Sequence, residues 1–507
     1  MLITDWVANN ARRFPNKIGI VSGETRLTFA QFAQRVNRLA NALLDLGLEK
    51  GDRVAFLDRN CPWYLELYFG TIRSGLVAVP LNYRLVGREY IYLLNNSGAK
   101  ALIVGGDYVQ TVESIRGDIP GVAHVISFSS TPGYTHYEQM LASASDEEPN
   151  VENDEHDLAI IGYTSGTTAN PKGVMLNHRN IVANAVNFLV DLPLRRDDIC
   201  YNPFPLFHSG AYCVMAYFSR GCTQVYDDFA LQNTFEIIQK EKVNYLFIPA
   251  GALVFLPGFA KTDQYDLGSL RLILTGGSAT PVQVARNLFS IFPSLEALYD
   301  AYALTEASPL VCLATKTREM VDTSSIDENT GPESYGVRVK IVDYEDQEVP
   351  YGEVGEIVVQ GDNVMQGYWR MPDETAHIMR GGCLHTGDMG RWNDKREMVV
   401  VDRLKDMILS GGENISSREV EEVLYEHPAI SEAAVIGHPD EKFGERVHAV
   451  IALKPEHTAL EDEIIEFCKE RLASYKKPRS IEFVDALPRN PSGKIMKKTL
   501  REMYKKK

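Results

Sequence analysis

At 507 residues the chain exceeds what one hydrophobic core supports, so two or more domains are expected. An apolar share of 45% and a charged share of 24% suit a chain that folds throughout, while a net charge of −16 argues against a nucleic-acid-binding surface, which demands basic patches. The seven cysteines form no CxxC pair and no metal spacing with histidine, so reduced thiols of a cytoplasmic protein are expected, and no run of ~18 apolar residues offers an integral membrane segment.

The opening "MLITDWVANNARRFP" alternates apolar and polar residues as an amphipathic helix does and lacks a signal peptide's continuous apolar core. Residues 28–47, "TFAQFAQRVNRLANALLDLG", carry apolar positions at helical spacing between a starting Thr and a closing Gly. "RVAFL" then reads as a strand, "CPWYLELYFGTIRSG" as a helix and "LVAVPLN" as a strand. The alternation recurs through "ALIVGG", "HVISFS" and "LAIIGYTS", and again in "YLFIPA" and "LRLILTGG". Such an order predicts α/β layers with largely parallel sheets. Near residue 336 the texture changes to short strands with Gly turns, which suggests a small barrel-like β subdomain. The tail from 417 mixes helix and strand, as a small α+β domain would. Residues 403–507 hold 19 basic and 19 acidic residues, so the whole of the −16 lies in the first 402. Domains of 1–402 and 403–507 are therefore expected, with the break at 402–406, "DRLKD".

The stretch "YTSGTTANPKGV", 163–174, packs Thr164, Ser165, Thr167 and Thr168 around Gly166 and closes on Lys172. A turn needs fewer donors than this. Glycines that admit close backbone approach, hydroxyls and a lysine together suit phosphate. The Lys is followed by Gly rather than by a hydroxyl, so this is not the GxxxxGK[ST] loop. The plain structural alternative is an exposed hairpin loop.

This stretch resembles the phosphate loop of the adenylate-forming superfamily, which contains acyl-CoA synthetases, beetle luciferases and peptide-synthetase adenylation domains. Further segments resemble that family in its own order: "YALTEAS" (302–308), "HTGDMG" (385–390), "DRLKDMILSGGENISSREVE" and "PRNPSGKI" (488–495). The resemblance implies roles residue by residue. Glu306 would hold Mg²⁺ and Thr305 touch phosphate. Gly277 and Ala301, with Tyr302 stacking, would form the adenine pocket together with "GGSATP" (276–281). Asp388 and Arg403 would bind the ribose. Lys405 would be the hinge, and Ser410, Gly411 and Gly412 would face CoA. His208 would wall the acyl site, and Lys494 would be the catalytic lysine. Two positions depart from the pattern, Ala169 and Ala303, where the family usually has Gly.

Residue chemistry fits these roles. A carboxylate can hold Mg²⁺ beside phosphate, and a two-acceptor Asp388 can bind both ribose hydroxyls. A lone His among aromatics is otherwise a core residue, and a Lys in a Lys-rich tail a solvated charge. Residues 201–260 are crowded with rings, and no Lys or Arg lies between Pro203 and Ser219, which favours an apolar acid. The implied activity is ATP-dependent ligation of a monocarboxylic acid, a medium- or long-chain fatty acid, to CoA through an acyl-adenylate. An aryl-acid CoA ligase, a stand-alone enzyme loading a carrier protein, and a non-catalytic nucleotide sensor are the alternatives. Expected partners are the small-molecule acid, ATP and CoA, with no nucleic acid, and a homodimer stays open.

Overall fold

A computed structural model describes residues 1–164, 171–208, 210–227, 231–253, 255–259, 264–277, 280–323, 329–410, 413–440, 443–490 and 494–504. The chain divides into two compact units. The first comprises Met1–Val339, Val359–Leu384 and Arg396–Met398. The second comprises Lys340–Val358, His385–Lys395 and Val399–Lys507.

Local sequence accounts for the first helices. The expected helix spans Phe29–Asp45, where Thr28 accepts from the Gln31 N–H and the Gln31 side chain bonds back to the Thr28 N–H. It buries Phe32 and Leu39 against helix Tyr64–Arg73, and Gly70 is required there because a Cβ would lie 2.6 Å from Leu39 Cδ2.

The first unit holds two eight-stranded sheets. One runs in the order Leu310–Thr317, Ala297–Ala303, Leu272–Gly276, Tyr245–Phe247, Ile199–Tyr201, Thr223–Val225, Ile18–Ser22, Thr25–Thr28. It is parallel throughout except at its two edges. The other runs Gly367–Tyr368, Lys172–Asn177, Leu158–Thr164, Val77–Pro80, Arg53–Leu57, Ala99–Val104, His124–Ser127, Thr135–His136. It is antiparallel only where the first three strands meet. Strands buried on both faces read as unbroken β-branched runs, which is why "RVAFL" and "ALIVGG" were legible. Parallel packing gathers strand carboxyl ends at one edge of each sheet, and ligands bind at such edges.

The β-rich segment after 336 folds as a four-stranded sheet of Val337–Val342, Gly355–Gly361, Leu384–Trp392 and Met398–Arg403, most of it in the second unit. The tail builds a further sheet on the long hairpin Ile430–Asp440 and Gly444–Leu453, with Ser480–Phe483 added in parallel. Its core is aliphatic, with Val420, Leu424, Val435, Val447 and Ile464 fully buried. Among the described residues no helix is long and apolar enough to cross a membrane.

Candidate active site

The predicted phosphate loop joins two antiparallel strands. Thr164, the last residue of Leu158–Thr164, pairs in register with Lys172, the first of Lys172–Asn177. Ser165, Gly166, Thr167, Thr168 and Ala169 lie outside the described residues. Lys172 is 8% exposed; its ammonium pairs with Glu374 of helix Pro372–Ile378 and sits 5.0 Å above the Tyr368 ring. The Tyr368 hydroxyl in turn donates to Glu306 Oε1 at 2.9 Å. Burial, with the Glu306 charge behind it, raises the Tyr368 phenol far above its ordinary range, so it stays a donor. A line of contacts thus runs from Glu374 through Lys172 and the Tyr368 ring to Glu306. Tyr368 and Glu374 carried no reading in the sequence; only a strand pairing Gly367–Tyr368 with Val174–Met175 brings them here.

Glu306 sits in the single turn Thr305–Ala307 that follows strand Ala297–Ala303. Its carbonyl accepts from Met365 N–H at 2.9 Å, and Asn363 Nδ2 donates to the carbonyls of Ala307 and Leu310. The turn is therefore tied on both sides, Thr305 is buried, and Glu306 is half-buried with one oxygen engaged. A partly solvated carboxylate of fixed orientation fits Mg²⁺, which takes one or two protein carboxylates and completes its shell with phosphate and water. Gly162 is needed beside it: a Cβ there would lie 2.6 Å from Tyr212 Oη and 3.5 Å from Thr305 Cγ2.

On the adjoining strands Gly276 pairs with Ala301, and a Cβ at Gly276 would stand 3.1 Å from the Ala301 carbonyl. Gly277 has φ +94°, the left-handed region that favours glycine. Tyr302 follows Ala301, half-buried at the strand's end. Ala303, where the family usually has Gly, is not in the left-handed region and carries no backbone strain.

His208 packs between the rings of Phe204 and Phe207, with centroids 5.6 Å and 6.2 Å away. Asn60 fixes this turn by donating to the Phe204 carbonyl and accepting from the Leu206 N–H. Most rings of the 201–260 stretch are core, as expected: Tyr201, Tyr212, Tyr217, Phe218 and Tyr245 are at most 1% exposed. Phe204 is half-buried and lies parallel to Phe247 at 5.4 Å. Phe255 is exposed rather than core.

The remaining predicted residues lie in the second unit. Asp388 Oδ1 pairs with Arg403 Nε at 3.3 Å. The turn before Asp388 is held by Glu356, whose oxygens meet the Gly387 N–H at 3.0 Å and His385 Nδ1 at 2.9 Å. Lys405 is exposed between two buried carboxylates: Asp402 accepts from Ser417 N–H and Oγ, and Asp406 pairs with Arg501 at 2.7 Å. Ser410 is buried at the end of Ile408–Ser410, while Gly411 and Gly412 lie outside the described residues. Lys494 is exposed, with its N–H donating to Asn490 Oδ1 at 2.9 Å.

Residues 7–369 match the AMP-binding enzyme family, and residues 419–494 match the AMP-binding enzyme C-terminal domain. The chain is 36% identical to a feruloyl-CoA synthase of Amycolatopsis sp over 502 residues, 98% of either chain. It is 34% identical over 495 residues to a long-chain-fatty-acid–CoA ligase of Mycobacterium tuberculosis, covering 95% of this chain and 94% of that one. Its fold superposes on the crystal structure of an anthranilate CoA ligase in complex with anthranoyl-AMP with a TM-score of 0.90, at 28% identity, covering 100% and 97% of the two chains. The chain belongs to the AMP-binding enzyme family, in the acyl-CoA synthetase branch of the adenylate-forming superfamily, and is an AMP-forming acid–CoA ligase that uses ATP, Mg²⁺ and CoA.

Proposed function

We propose that this acid–CoA ligase activates an apolar monocarboxylic acid, and an aryl acid in particular. The observation that supports the aryl class is the parallel Phe204–Phe247 pair beside His208, with Phe204 still half-buried. A planar ring can extend such a stack, whereas an alkyl chain gains nothing from parallel aromatic faces beyond apolar area. The absence of Lys or Arg between Pro203 and Ser219 leaves a second carboxylate without a partner. A medium- or long-chain fatty acid is the second reading, supported by the mycobacterial relative at similar identity.

Charge dictates the roles. The acid's carboxylate must attack the α-phosphorus of ATP, anion against anion, so catalysis is neutralisation and alignment. Glu306 would hold Mg²⁺, which supplies positive charge to the phosphate oxygens. Thr305 and the 164–168 loop would donate to the outgoing phosphates, and Lys172 would hold that loop's returning strand. Lys494 would bridge the carboxylate and an α-phosphate oxygen. Attack forms the acyl–phosphate bond, breaks the α–β bridge and releases pyrophosphate. The CoA thiol, losing its proton, then attacks the acyl carbon and AMP leaves. Lys494 has no role in that second step, so rotation of residues 403–507 about Lys405 would replace it with the Ser410–Gly412 face. A panel of C2–C16 and aryl acids assayed by AMP release tests the reading. Aryl acids with kcat/KM at least tenfold above any alkyl acid are expected, and succinate or an amino acid as the best substrate would overturn it.

A further inference from the structure

Helix Lys497–Tyr504 begins three residues after Lys494, and no step above uses its Lys497 and Arg501. Positions 497 and 501 are four apart, so their side chains leave one face of the helix. Arg501 pairs with Asp406 Oδ1 at 2.7 Å, and Asp406, the residue after Lys405, is buried. Lys497 pairs with Glu421 Oε1 at 2.8 Å and donates to Oγ of the fully buried Ser417 at 2.6 Å. Ser417 and Glu421 belong to helix Ser417–Tyr425, and Glu421 also accepts from the Val435 N–H at 2.6 Å. Leu500 and Tyr504 complete the seat by packing among Ala434, Ile436 and Val450.

The backbone of Lys494 is held locally as well. Its N–H donates to Asn490 Oδ1 and its carbonyl accepts from the Asn490 N–H, both at 2.9 Å. The Met496 N–H donates to the Pro488 carbonyl at 2.8 Å. The helix that follows then sets where this segment stands in its domain. Arg501 and Asp406 are 95 positions apart, so the chain between them is a long path and their ion pair a short one. That pair joins the residue beside Lys405 to the helix that carries Lys494. A torsional change at Lys405 moves Lys494 as one body with Asp406 only if the short path is stiff, and a charge-assisted hydrogen bond is directional where apolar packing is not. We infer that Arg501, with Lys497 beside it, is a positioning residue for the adenylation step: it couples the hinge to Lys494 and sets where that ammonium arrives. Neither cation touches the reacting atoms. The inference rests on reading Lys494 as the lysine of that step and Lys405 as the hinge.

The test uses the full chain and compares Arg501→Met, Asp406→Asn and Lys497→Met with the conservative exchange Arg501→Lys. Misplacing a reacting group by about 1 Å costs about 10²-fold. Arg501→Met, Asp406→Asn and Lys497→Met should each lower pyrophosphate exchange at saturating ATP and acid by about 10–100-fold. The KM for ATP should stay within about twofold, because Lys494 acts on the transition state. Thioester formation from supplied acyl-adenylate and CoA should also stay within about twofold, which a merely damaged domain would not allow. Arg501→Lys keeps the charge and should recover most of the exchange rate. Placed on Lys494→Ala, Arg501→Met should cost nothing further, since it acts only through that side chain. Unchanged exchange in Arg501→Met and Asp406→Asn would overturn the inference, as would an equal fall in both half-reactions or a full further loss on Lys494→Ala. If Arg501→Met does not fold, its combination with Asp406→Asn, which leaves no lone buried charge, decides by the same split. Lys494→Ala alone separates the readings. If it leaves exchange intact, the lysine assignment is wrong and the inference falls with it. If it lowers exchange while the Arg501 and Asp406 variants do not, only the inference falls.

Discussion

Replacing Tyr368 by Phe removes one hydroxyl and little else. The ring that lies under the Lys172 ammonium remains, so the Lys172–Glu374 pair keeps its seat, and the residue is 7% exposed, so the fold loses only a hydroxyl-sized volume. What disappears is the 2.9 Å hydrogen bond to Glu306 Oε1. A hydrogen bond to a charged acceptor contributes about 1.5–3 kcal/mol, and loss of a group that orients a metal ligand lowers metal affinity or activity by about 10–100-fold. The half-saturating Mg²⁺ concentration in pyrophosphate exchange should therefore rise by about one to two orders of magnitude. The maximal rate should return at high Mg²⁺, since Glu306 itself is still present. Titrating Mg²⁺ at fixed, saturating ATP and acid measures this. An unchanged Mg²⁺ dependence would show that the carboxylate Tyr368 orients is not the one that holds the metal. A lost rate that no amount of Mg²⁺ restores would refute the argument differently, by making the hydroxyl part of the chemistry.

Lys494→Ala should cut adenylate formation by about 10²–10⁴-fold, because a charge-assisted contact between approaching anions is gone. The same variant supplied with acyl-adenylate and CoA should make thioester near the unmodified rate, and a matching loss there would sink the proposed alternation of the second domain. Lys405→Pro should show the opposite split, with pyrophosphate exchange retained and thioester formation lost, since proline restricts the backbone torsion a hinge must change. Equal loss of both steps would place the hinge elsewhere. Acid should weaken the second unit through His448: burial, with His438 and Arg446 behind it, pushes the imidazole down to about 4. The unfolded chain binds that proton from its ordinary 6.5, so this group's contribution is complete above about pH 6.5 and is lost as pH falls towards 4, up to about 3 kcal/mol in all. Denaturant unfolding between pH 7 and 4 should show a shallower decline in His448→Asn, and parallel curves would refute the assignment.

Chain-local chemistry made much of this protein legible from its sequence. Thr28 with Gln31 announces a helix start and β-branched runs announce buried strands, each within about a dozen neighbouring residues. The order of such segments also carried the family. Only the tertiary structure decided which side chains meet. Lys172 and Glu374 are 202 positions apart, Tyr368 and Glu306 are 62 apart, and Arg501 and Asp406 are 95 apart. Lys172 reads from the sequence as one more phosphate donor; its pairing with Glu374 is visible only in the fold. Glu356 and Tyr368 carried no local signal at all, because a carboxylate or a phenol acquires its role only from the group that burial and strand pairing place within hydrogen-bonding reach.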